Sequence, residues 1–396
     1  MKVLYLSGAP RVSTKSVSGS HGPRAHVLGV IGAFKTLGHS VEELIIGDIV
    51  PERMVTANFE PQKETSGIKR TLVLLASDTI RFLIRMVLIM KGAFLSESKR
   101  PNLVYERYGL FMGLGKFFKQ KSGVWILESN AILSQESSGD RSTTFFKKWA
   151  RYSEASAYRN CDFLVVVTED LKSLIVKAFD IQNEKVIVVP NGVDAFRFNP
   201  KIEFVNRPNN SSFVLGFVGS LMPWQHLSLP IQTVSTLRLE GIDIGLTIVG
   251  DGAEYYELTN LVNKLNLYDS VVFTGAVDWK EIPKFINGFD ACYSGPIPLS
   301  VGKMYLSPLK LYEYLAMDKP VVASNYPDAV ILLEDSFSDY LFQHEDPNSL
   351  PDLLRKLVSK ELNSDFSALG KNVREELSWT AKVQLLLKIT GLENGR

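Results

Sequence analysis

The feature that most constrains this chain is an alternation of short β-rich runs with helical segments, which occurs in two successive series. In the first series the β-rich runs are Lys2–Ser7, Ser40–Ile46, Leu103–Glu106, Val124–Glu128, Phe163–Val167 and Lys185–Val189. In the second they are Val214–Val218, Ile244–Val249, Ser270–Phe273, Ala291–Tyr293 and Pro320–Ala323. Strands that alternate with helices form parallel sheets, because consecutive parallel strands need a long crossover connection. The chain is therefore predicted to be α/β.

Two domains are predicted from the length and from a break between the two series. The chain has 396 residues, more than one ordinary core accommodates. The stretch Asn199–Asn210 is rich in proline and asparagine and predicts a linker. Helices are predicted between the strands, among them Arg24–Leu37, Ala253–Leu265 and Leu309–Met317.

Composition excludes several classes of protein. Hydrophobic residues make up 45% of the chain and charged residues 22%, the balance of an ordinary globular protein. No uncharged apolar run reaches about 18 residues, and the N-terminus enters a strand-like pattern rather than a signal peptide. The two cysteines, Cys161 and Cys292, have no His or Cys at metal-ligand spacing, so neither a disulfide framework nor a zinc site is indicated. A cytoplasmic location is expected.

Charge is divided unevenly along the chain. Residues 1–180 hold 25 Lys and Arg against 17 Asp and Glu, whereas the remainder holds 19 against 26. A basic half can face anionic lipid or an anionic substrate. A chance division of solvated surface charge explains the same counts, and the sequence leaves both interpretations open.

The segment Ile68–Phe94 is apolar but is interrupted by Arg70, Asp78, Arg81 and Arg85. This pattern predicts an amphipathic helix. Its basic face can rest on a membrane surface. Alternatively, the helix packs on the sheet with its charges in water, which is the commoner arrangement and the one we expect.

Two glycine-containing loops follow the first strand of each series. They are Ser18-Gly19-Ser20-His21-Gly22-Pro23-Arg24 and Gly219-Ser220-Leu221. Such loops bring backbone N–H groups and a helix N-terminus close to an anion. Neither has the spacing of a dinucleotide fingerprint. Because ligands of open α/β sheets bind beyond the carboxyl ends of the strands, both loops are candidate ligand contacts.

The segment Ser307–Ala316 is the strongest candidate for binding a phosphorylated ligand. Ser307 is predicted to cap a helix and Pro308 to stand in its first turn. The exposed N–H groups there can hold a diphosphate, with Lys310 adding positive charge. Glu313, on a neighbouring helical face, can accept two hydrogen bonds from a ribose diol. A surface helix with a Lys–Glu pair is the alternative.

The order of these segments resembles glycosyltransferase family 4, which has the GT-B fold and retains anomeric configuration. The matching segments are Gly22 with His26, Gly38-His39, Tyr105-Glu106-Arg107-Tyr108, Glu128-Ser129-Asn130-Ala131, Val188–Asp194, Phe217–Leu221, Val249–Gly252, Phe273–Gly275 and Ser307–Ala316. Those at Tyr105 and Glu128 resemble a branch that makes bacterial surface polysaccharides. The resemblance implies two Rossmann-like domains facing across a cleft. Residues 1–195 would form the acceptor domain, with a C-terminal helix at 378–396 crossing back to it, and residues 196–377 the nucleotide-sugar donor domain.

The resemblance also assigns roles. Glu313 matches the second acid of the Glu-x7-Glu motif and should hold the ribose, and Val277 lies where the base is usually held. The implied donor-binding residues are Gly22, Gly219, Ser220, Val277, Ser307, Pro308, Leu309, Lys310 and Glu313. The predicted catalytic residues are Glu128, Asn130, His21 and Lys310. A structural role remains equally open for His21, and His26 is expected to pack or cap.

Three departures from the family pattern bear on the chemistry. Tyr305 replaces the first acid of Glu-x7-Glu, and the acidic end of the nucleotide motif is blurred at Glu334-Asp335. Ser220 and Gln225 stand where the family carries a phosphate-binding Arg and Lys. A departing diphosphate gains negative charge, so another cation must stabilise it. The candidate cations are Lys310, Lys303, His226 and Arg24.

The resemblance implies transfer from a nucleotide sugar, with a UDP-sugar as first expectation and a GDP-sugar as second. The acceptor would be a glycan, a lipid-linked sugar or a small molecule. No protein nucleophile, cofactor, metal or nucleic acid is expected. Peripheral contact with the inner face of the cell membrane stays open as an addition to the cytoplasmic location. Two other functions stay open: a nucleotide-sugar epimerase of the same fold, and a non-catalytic sugar-nucleotide-binding protein, which the replacements at Tyr305, Ser220 and Gln225 favour.

Overall fold

The computed structural model describes residues 1–15, 21–50, 67–138, 143–204, 209–298, 305 and 307–393. The chain divides into two compact units. The first comprises Met1–Pro190 together with Trp379–Arg396, and the second comprises Asn191–Ser378. Elements are numbered below over the described residues only.

The first unit contains a six-stranded parallel sheet. Its strands are β1 (Lys2–Ser7), β2 (Ser40–Ile45), β3 (Leu103–Arg107), β4 (Val124–Ser129), β5 (Phe163–Val166) and β6 (Val186–Val188), in the spatial order β2-β1-β3-β4-β5-β6. Its helices are α1 (His21–Thr36), α2 (Ile46–Ile49), α3 (Ile68–Ala93), α4 (Leu133–Ser138), α5 (Lys147–Asn160) and α6 (Glu169–Phe179). The strand order reverses between β1 and β3, which makes their carboxyl ends a favoured place for a ligand.

The second unit contains another six-stranded parallel sheet. Its strands are β7 (Phe213–Val218), β8 (Ile244–Val249), β9 (Val271–Gly275), β10 (Ala291–Ser294), β11 (Val321–Ser324) and β12 (Leu341–Phe342), in the order β12-β11-β10-β7-β8-β9. Its helices are α7 (Ser228–Leu239), α8 (Tyr255–Lys264), α9 (Ile282–Asn287), α10 (Leu309–Ala316), α11 (Pro327–Phe337), α12 (Ser349–Val358) and α13 (Ser367–Glu376). This is the doubly wound order, whose switch point lies between β7 and β10.

The predicted α/β fold with two Rossmann-like domains is confirmed. Every strand expected from the sequence is present, with its ends shifted by at most two residues. All six residues of β8 are buried, as expected for a central strand covered on both faces. The sequence analysis missed β12, because two residues carry no detectable alternation.

The predicted linker at Asn199–Asn210 does not separate the two units. The division falls between Pro190 and Asn191, before this stretch begins. Residues 205–208 lie outside the described part of the chain. Asn209, at the end of the stretch, is buried and donates to the carbonyl of Ser270 at 2.8 Å, so it anchors the first strand of the second sheet.

The C-terminal helix α14 (Trp379–Ile389) packs on α1 within the first unit. Trp379 packs against His26, with ring centroids 4.7 Å apart and ring planes tilted by 42°. A Cβ atom at Gly29 would lie 2.3 Å from Trp379 Nε1, so only glycine admits the indole ring here. The close approach of α1 and α14 thus depends on the absence of a side chain at Gly29.

Helix α3 corrects the expected orientation of the amphipathic segment. We expected its charges to lie in water. Instead, Asp78 is fully buried and Arg81 and Arg85 donate to backbone carbonyls, whereas much of the apolar surface is exposed. Hydropathy along one helix does not show which face meets the rest of the protein. A charged face can be the buried one where each charge finds hydrogen-bond partners.

Candidate functional site

In the second unit, two glycine loops meet at the carboxyl ends of β7 and β8. Gly219 has φ 147° and Gly250 has φ 138°, conformations that favour glycine. A Cβ atom at Gly250 would lie 2.0 Å from the carbonyl oxygen of Gly219. The two strand ends therefore approach each other closely.

Helix α10 begins beside this loop with its first turn uncapped by a side chain. Pro308 occupies the N-cap position and supplies no side-chain cap, and no other side chain in the described part of the chain bonds to the first N–H groups. The sequence analysis placed Ser307 as the cap and Pro308 inside the first turn, and both placements are wrong. The uncapped N–H groups at the start of α10 keep the positive end of the helix available to an anion.

Ser307 is held by side chains from elsewhere in the second unit. Its Oγ donates to Asp328 Oδ2 at 2.5 Å and accepts from the backbone N–H of Asn191 at 3.1 Å. Tyr312 also donates to Asp328, at 2.7 Å. Because Asn191 belongs to the Val188–Asp194 segment, that segment serves to fix the start of α10.

Lys310 places a buried amine at the Gly219 loop. Its Nζ donates to Gln225 Oε1 at 2.6 Å and lies 4.0 Å from the centre of the Phe217 ring. A Cβ atom at Gly219 would be 3.3 Å from this amine. Burial lowers the pKa of Lys310 to about 7, and nearby Glu313 opposes the shift. An anion bound here would favour the charged form of the amine.

Glu313 lies one turn further along α10. Its side chain is partly exposed, yet removal from water raises its pKa to about 7, against the attraction of Arg197 and Lys310. The Arg197 guanidinium stacks over Trp279, 3.6 Å from the ring centre. The partly buried carboxylate therefore lies within the field of two cations, Arg197 and Lys310, which suits recognition of hydroxyl groups.

The other predicted residues of this unit occupy varied environments. Ser220 is exposed after β7, and Val277 is partly buried against the core. Tyr305 is buried, so the position of the first acid of Glu-x7-Glu is occupied by a packed ring. Of the proposed replacement cations in this unit, Lys310 is brought to Gly219, whereas Lys303 lies outside the described residues. Burial lowers the pKa of His226, which disfavours its charged form.

In the first unit, Glu128 sits at the carboxyl end of β4 and accepts three side-chain hydrogen bonds. Tyr105 donates to its Oε2 at 2.6 Å, while Arg107 and Asn130 donate to its Oε1, each at 2.8 Å. Burial raises the pKa of Glu128, and these three donors oppose the shift. The carboxylate is thus occupied by partners and acts as an anchor for Arg107 and Asn130.

His26 completes this cluster from α1. Its Nδ1 accepts from Arg107 at 3.0 Å, which leaves the proton of the neutral ring on Nε2. Nε2 lies 2.9 Å from Glu128 Oε1 but outside hydrogen-bonding geometry. Burial, and then the charge of Arg107, lower the pKa of His26 well below its usual value, so the ring is neutral.

Asn130 carries an unsatisfied acceptor. Its Nδ2 donates to Glu128, but its buried Oδ1 receives no hydrogen bond from the described part of the chain. Such an atom costs about 1–3 kcal/mol unless a ligand or water supplies a donor. The amide is therefore oriented by Glu128 with one acceptor left for a hydroxyl group.

The first glycine loop is described only in part. His21 and Gly22 lie in the first turn of α1, which begins three residues earlier than expected, and residues 16–20 lie outside the described part of the chain. A Cβ atom at Gly22 would contact nothing within 4 Å. Arg24 donates to the carbonyl of Thr14 at 2.8 Å, so it ties the first turn of α1 to the described residues that follow β1.

The sequence analysis gave no role to several residues that build these sites. Tyr105 and Arg107 were noted only as part of a motif, in which alternate positions along β3 share a face. Between them, Glu106 is buried and accepts backbone N–H groups from Gly113, Leu114 and Gly115. The alternation of side chains along β3 could have separated Tyr105 and Arg107, which bind Glu128, from Glu106, which binds the backbone. Nothing in the sequence around Asp328 indicated its contact with Ser307.

The two Rossmann-like units define a GT-B class protein, and comparison with known proteins supplies the family. Residues 198–376 match the model described as glycosyl transferases group 1, and residues 132–197 match that of glycosyltransferase family 4. Together the two models cover more than half of the chain. The chain belongs to this glycosyltransferase family.

Individual relatives are distant. TuaH of Bacillus subtilis, a glycosyltransferase provisionally named for teichuronic acid biosynthesis, is 24% identical over 63% of this chain and 62% of its own length. The UDP-Gal:alpha-D-GlcNAc-diphosphoundecaprenol alpha-1,3-galactosyltransferase of Escherichia coli is 24% identical over 61% of each chain. The matches thus span about three fifths of these relatives.

Solved structures resemble the whole chain. Anabaena HepE, in complex with UDP-glucose, superposes with a TM-score of 0.63 at 15% identity and covers 100% of both chains. At this identity the likeness shows the fold alone. The named relatives are glycosyltransferases, so neither the epimerase nor the non-catalytic alternative is favoured.

Proposed function

We propose that this protein is a retaining glycosyltransferase that moves a sugar from a nucleoside diphosphate sugar to a glycan, lipid-linked or small-molecule acceptor in polysaccharide or glycolipid biosynthesis. The second unit binds the donor and the first unit the acceptor. A UDP-sugar is the first choice of donor, since HepE has been solved with UDP-glucose and an E. coli relative is named for UDP-Gal. A GDP-sugar is the second.

The observation that carries this proposal is the position of the Lys310 amine. It lies beside the Gly219 backbone and is oriented by Gln225, at the N-terminus of α10. An amine, a glycine loop and an uncapped helix N-terminus form a site suited to a diphosphate. Lys310 thus replaces the cation that the family carries at the position of Gln225.

Glu313 is proposed to hold the ribose of the donor. A carboxylate accepts both hydroxyl protons of a diol, and the neighbouring Arg197 and Lys310 favour its charged form. Ser307, Pro308 and Leu309 are proposed to contact the diphosphate through the start of α10. Gly22 and Val277 remain proposed contacts to the donor on the basis of the family resemblance.

The chemical step is proposed to need positioning and charge stabilisation rather than a protein nucleophile. As the bond between sugar and diphosphate breaks, negative charge grows on the leaving group, where Lys310 and the α10 N–H groups stabilise it. The acceptor hydroxyl oxygen bonds to the anomeric carbon on the face from which the diphosphate departs, and the leaving phosphate takes the proton of that hydroxyl group. No metal or other cofactor is part of this proposal.

The Glu128 cluster is proposed to orient groups toward a sugar. Glu128 holds Arg107 and Asn130, and the free Oδ1 of Asn130 is available to a sugar hydroxyl. Glu128 therefore acts here as a positioning residue. His21 stays a proposed contact at the start of α1.

A ligand screen tests the donor class directly. UDP, GDP, ADP and dTDP are each added in a thermal unfolding assay, because a ligand that binds only the folded state raises the midpoint. UDP is expected to give the largest rise. Failure of all four nucleotides to shift the midpoint would contradict the proposal.

A second assay separates transfer from the alternatives. The protein is incubated with the nucleotide sugar alone and then with candidate lipid-linked and glycan acceptors. Transfer is expected only when an acceptor is present. An isomerised sugar nucleotide without acceptor would instead indicate an epimerase, and nucleotide binding without either product a non-catalytic protein.

A lipid-linked acceptor would place the protein at the inner face of the cell membrane, and we include such peripheral contact in the proposal. In the described part of the chain, no helix is both long and apolar enough to cross a membrane. The basic balance of residues 1–180 supports contact with anionic lipid.

A further inference from the structure

Helix α3 turns the side chains of Asp78, Arg81 and Arg85 toward the rest of the protein and leaves much of its apolar surface exposed. Asp78 is fully buried, whereas Leu83 is 61% exposed and Val87 is 59% exposed. The exposed apolar residues of this segment are Ile68, Leu72, Val73, Leu75, Leu83, Met86, Val87, Met90 and Phe94, called here the α3 apolar face. A surface helix normally has the opposite arrangement, with its apolar stripe against the core.

The inward charges hold the helix in this orientation. Asp78 accepts from Arg81 at 2.6 Å, from Thr144 Oγ1 at 2.9 Å and from the backbone N–H of Phe145 at 2.8 Å. Arg85 donates to the carbonyl of Met112 at 3.0 Å. Rotating the helix to bury the apolar face would strip these groups of their partners, which is strongly unfavourable for a buried charge.

The apolar face forms one continuous stripe. Leu83, Met86, Val87, Met90 and Phe94 follow one another at steps of three, one, three and four residues, which places them on one side of a helix. The helix has 26 residues and so extends over about 39 Å. On an ordinary protein surface, exposed apolar residues are scattered singly, whereas here they form a contiguous stripe along the helix.

Aromatic residues of α5 extend this surface. The Phe82 ring on α3 lies 4.8 Å from that of Trp149, so the two helices adjoin. Trp149 and Tyr152 are exposed on α5, and Phe145 is exposed just before it. Tryptophan and tyrosine are the side chains that favour the boundary between water and lipid.

Among the described residues of α3 and of the first turns of α5, the exposed charges have one sign. The exposed charged residues of α3 and of the first turns of α5 are Lys69, Arg70, Lys91, Lys147, Lys148 and Arg151. The two acids of these helices, Asp78 and Glu154, are buried. Beyond the end of α3, Glu97 pairs with Arg100 at 3.6 Å. An apolar stripe flanked by basic residues complements a surface of anionic lipid headgroups.

A second copy of the chain fits this surface less well. In a symmetric dimer the same patch meets itself, so both sets of basic residues would be brought together. Like charges at such short range disfavour that contact, whereas anionic lipid neutralises them.

We infer that the α3 apolar face and the exposed aromatic residues of α5 form a docking surface for an anionic lipid bilayer, with α3 lying in the plane of the interface. The apolar side chains enter the headgroup region, and the flanking Lys and Arg side chains contact lipid phosphates. This inference rests on the peripheral membrane contact of the proposed function. It adds which surface of the protein makes that contact and which lipid groups the surface meets.

Flotation with lipid vesicles tests the inference. The protein is mixed with vesicles of phosphatidylcholine alone or with added phosphatidylglycerol. The unmodified protein is expected to float with the anionic vesicles, and added salt is expected to weaken the binding. Leu83→Glu with Val87→Glu should lower the bound fraction by about tenfold or more, because two charges would enter the apolar region. Lys147→Glu with Lys148→Glu should remove the preference for anionic lipid.

Leu239→Glu is the matched control, since Leu239 is 88% exposed on α7 in the other unit and undergoes the same change. It should float like the unmodified protein. All variants are first checked for an unchanged unfolding midpoint and an unchanged response to UDP. Loss of flotation with the UDP response intact supports the docking surface, and flotation without any UDP response would count against the donor assignment only.

Two results would overturn the docking surface. One is equal flotation of the unmodified protein and the Leu83→Glu, Val87→Glu variant. The other is a dimer in light scattering that this variant dissociates, without binding of the unmodified protein to anionic vesicles. The second result would identify a second copy as the occupant of the apolar face.

Discussion

The Lys310 amine donates a hydrogen bond to Gln225 Oε1 across 2.6 Å, over the face of the Phe217 ring. Its partner is a neutral amide, which orients the amine without neutralising it. In the family pattern the position of Gln225 carries a cation. In the proposed donor site the cation for the phosphate therefore comes from α10, and the loop after β7 supplies the amide of Gln225 that orients it.

Replacing Lys310 with methionine should weaken UDP binding by about 10- to 100-fold. Hydrogen bonds to charged groups contribute about 1.5–3 kcal/mol, and methionine keeps the apolar stem while removing the amine. Titration calorimetry measures the change. Lys264→Met, on an exposed face of α8, is the matched control and should bind normally. Normal UDP affinity in a folded Lys310→Met protein would contradict the assigned role.

Donor binding should depend on pH with a maximum near neutrality. The diphosphate binds the ammonium form of Lys310, whose pKa is lowered to about 7, so affinity falls as pH rises above that value. The ribose binds the carboxylate form of Glu313, whose pKa is raised to about 7, so affinity also falls as pH drops below it. UDP-glucose is the suitable probe, because its diphosphate diester does not titrate in this range.

Single variants assign the two limbs of that profile. Lys310→Met should lose the decline on the alkaline side, and Glu313→Gln the decline on the acidic side, each with a lower maximum affinity. A profile that keeps both limbs in both variants would mean that other groups control the binding.

The strands and the span of helix α10, though not its cap, could be predicted from the sequence because their signals are local. β8 is a run of buried residues, and the segment at Ser307 carries proline and lysine at recognisable spacing. The closeness of Gly219 to α10 also followed from general rules, since both lie at the carboxyl ends of neighbouring strands. Local pattern therefore located the candidate donor site.

The partners within that site could not be predicted, because they come from distant parts of the chain. Ser307 has the composition of a helix cap, yet Asp328 and Asn191 take up its hydroxyl. The sequence pattern predicts Asp78 as a surface charge, yet its side chain is buried and accepts hydrogen bonds from Thr144 and Arg81. A hydrogen-bonding side chain takes the partner that the tertiary structure offers, and hydropathy does not contain that information.

Gly29→Ala should destabilise the first unit by about 1–3 kcal/mol, the usual cost of overpacking. The added methyl group would lie 2.3 Å from the rigid indole of Trp379 and would push α14 away from α1. Gly32→Ala is the control on the same helix, since a Cβ atom there meets nothing within 4 Å. It should be neutral or stabilise by up to about 1 kcal/mol through helix propensity. Urea unfolding measures both, and equal effects would refute the packing argument.

Arg107→Met should destabilise the protein by about 3–5 kcal/mol at neutral pH, because a buried carboxylate loses its cationic partner. Burial already raises the pKa of Glu128, and Arg107 opposes that shift, so the variant raises this pKa further. The group is then neutral in the folded state over a wider range. The raised pKa of Glu128 lowers the free energy of unfolding. This loss is small near the pKa of an unfolded glutamate, about 4.3, and grows as pH rises toward the pKa of Glu128 in the folded protein.

The loss caused by Arg107→Met should therefore be smaller at a pH of about 5 than at about 7, measured by urea unfolding at each. Adding Glu128→Gln to the same chain should recover much of the stability at neutral pH, since the amide keeps the shape of the side chain without its charge. The matched single variant Glu128→Gln completes a double-mutant cycle. A loss that is the same at both pH values, or one that Glu128→Gln leaves unchanged, would show that Arg107 stabilises the fold through packing rather than through the charge of Glu128.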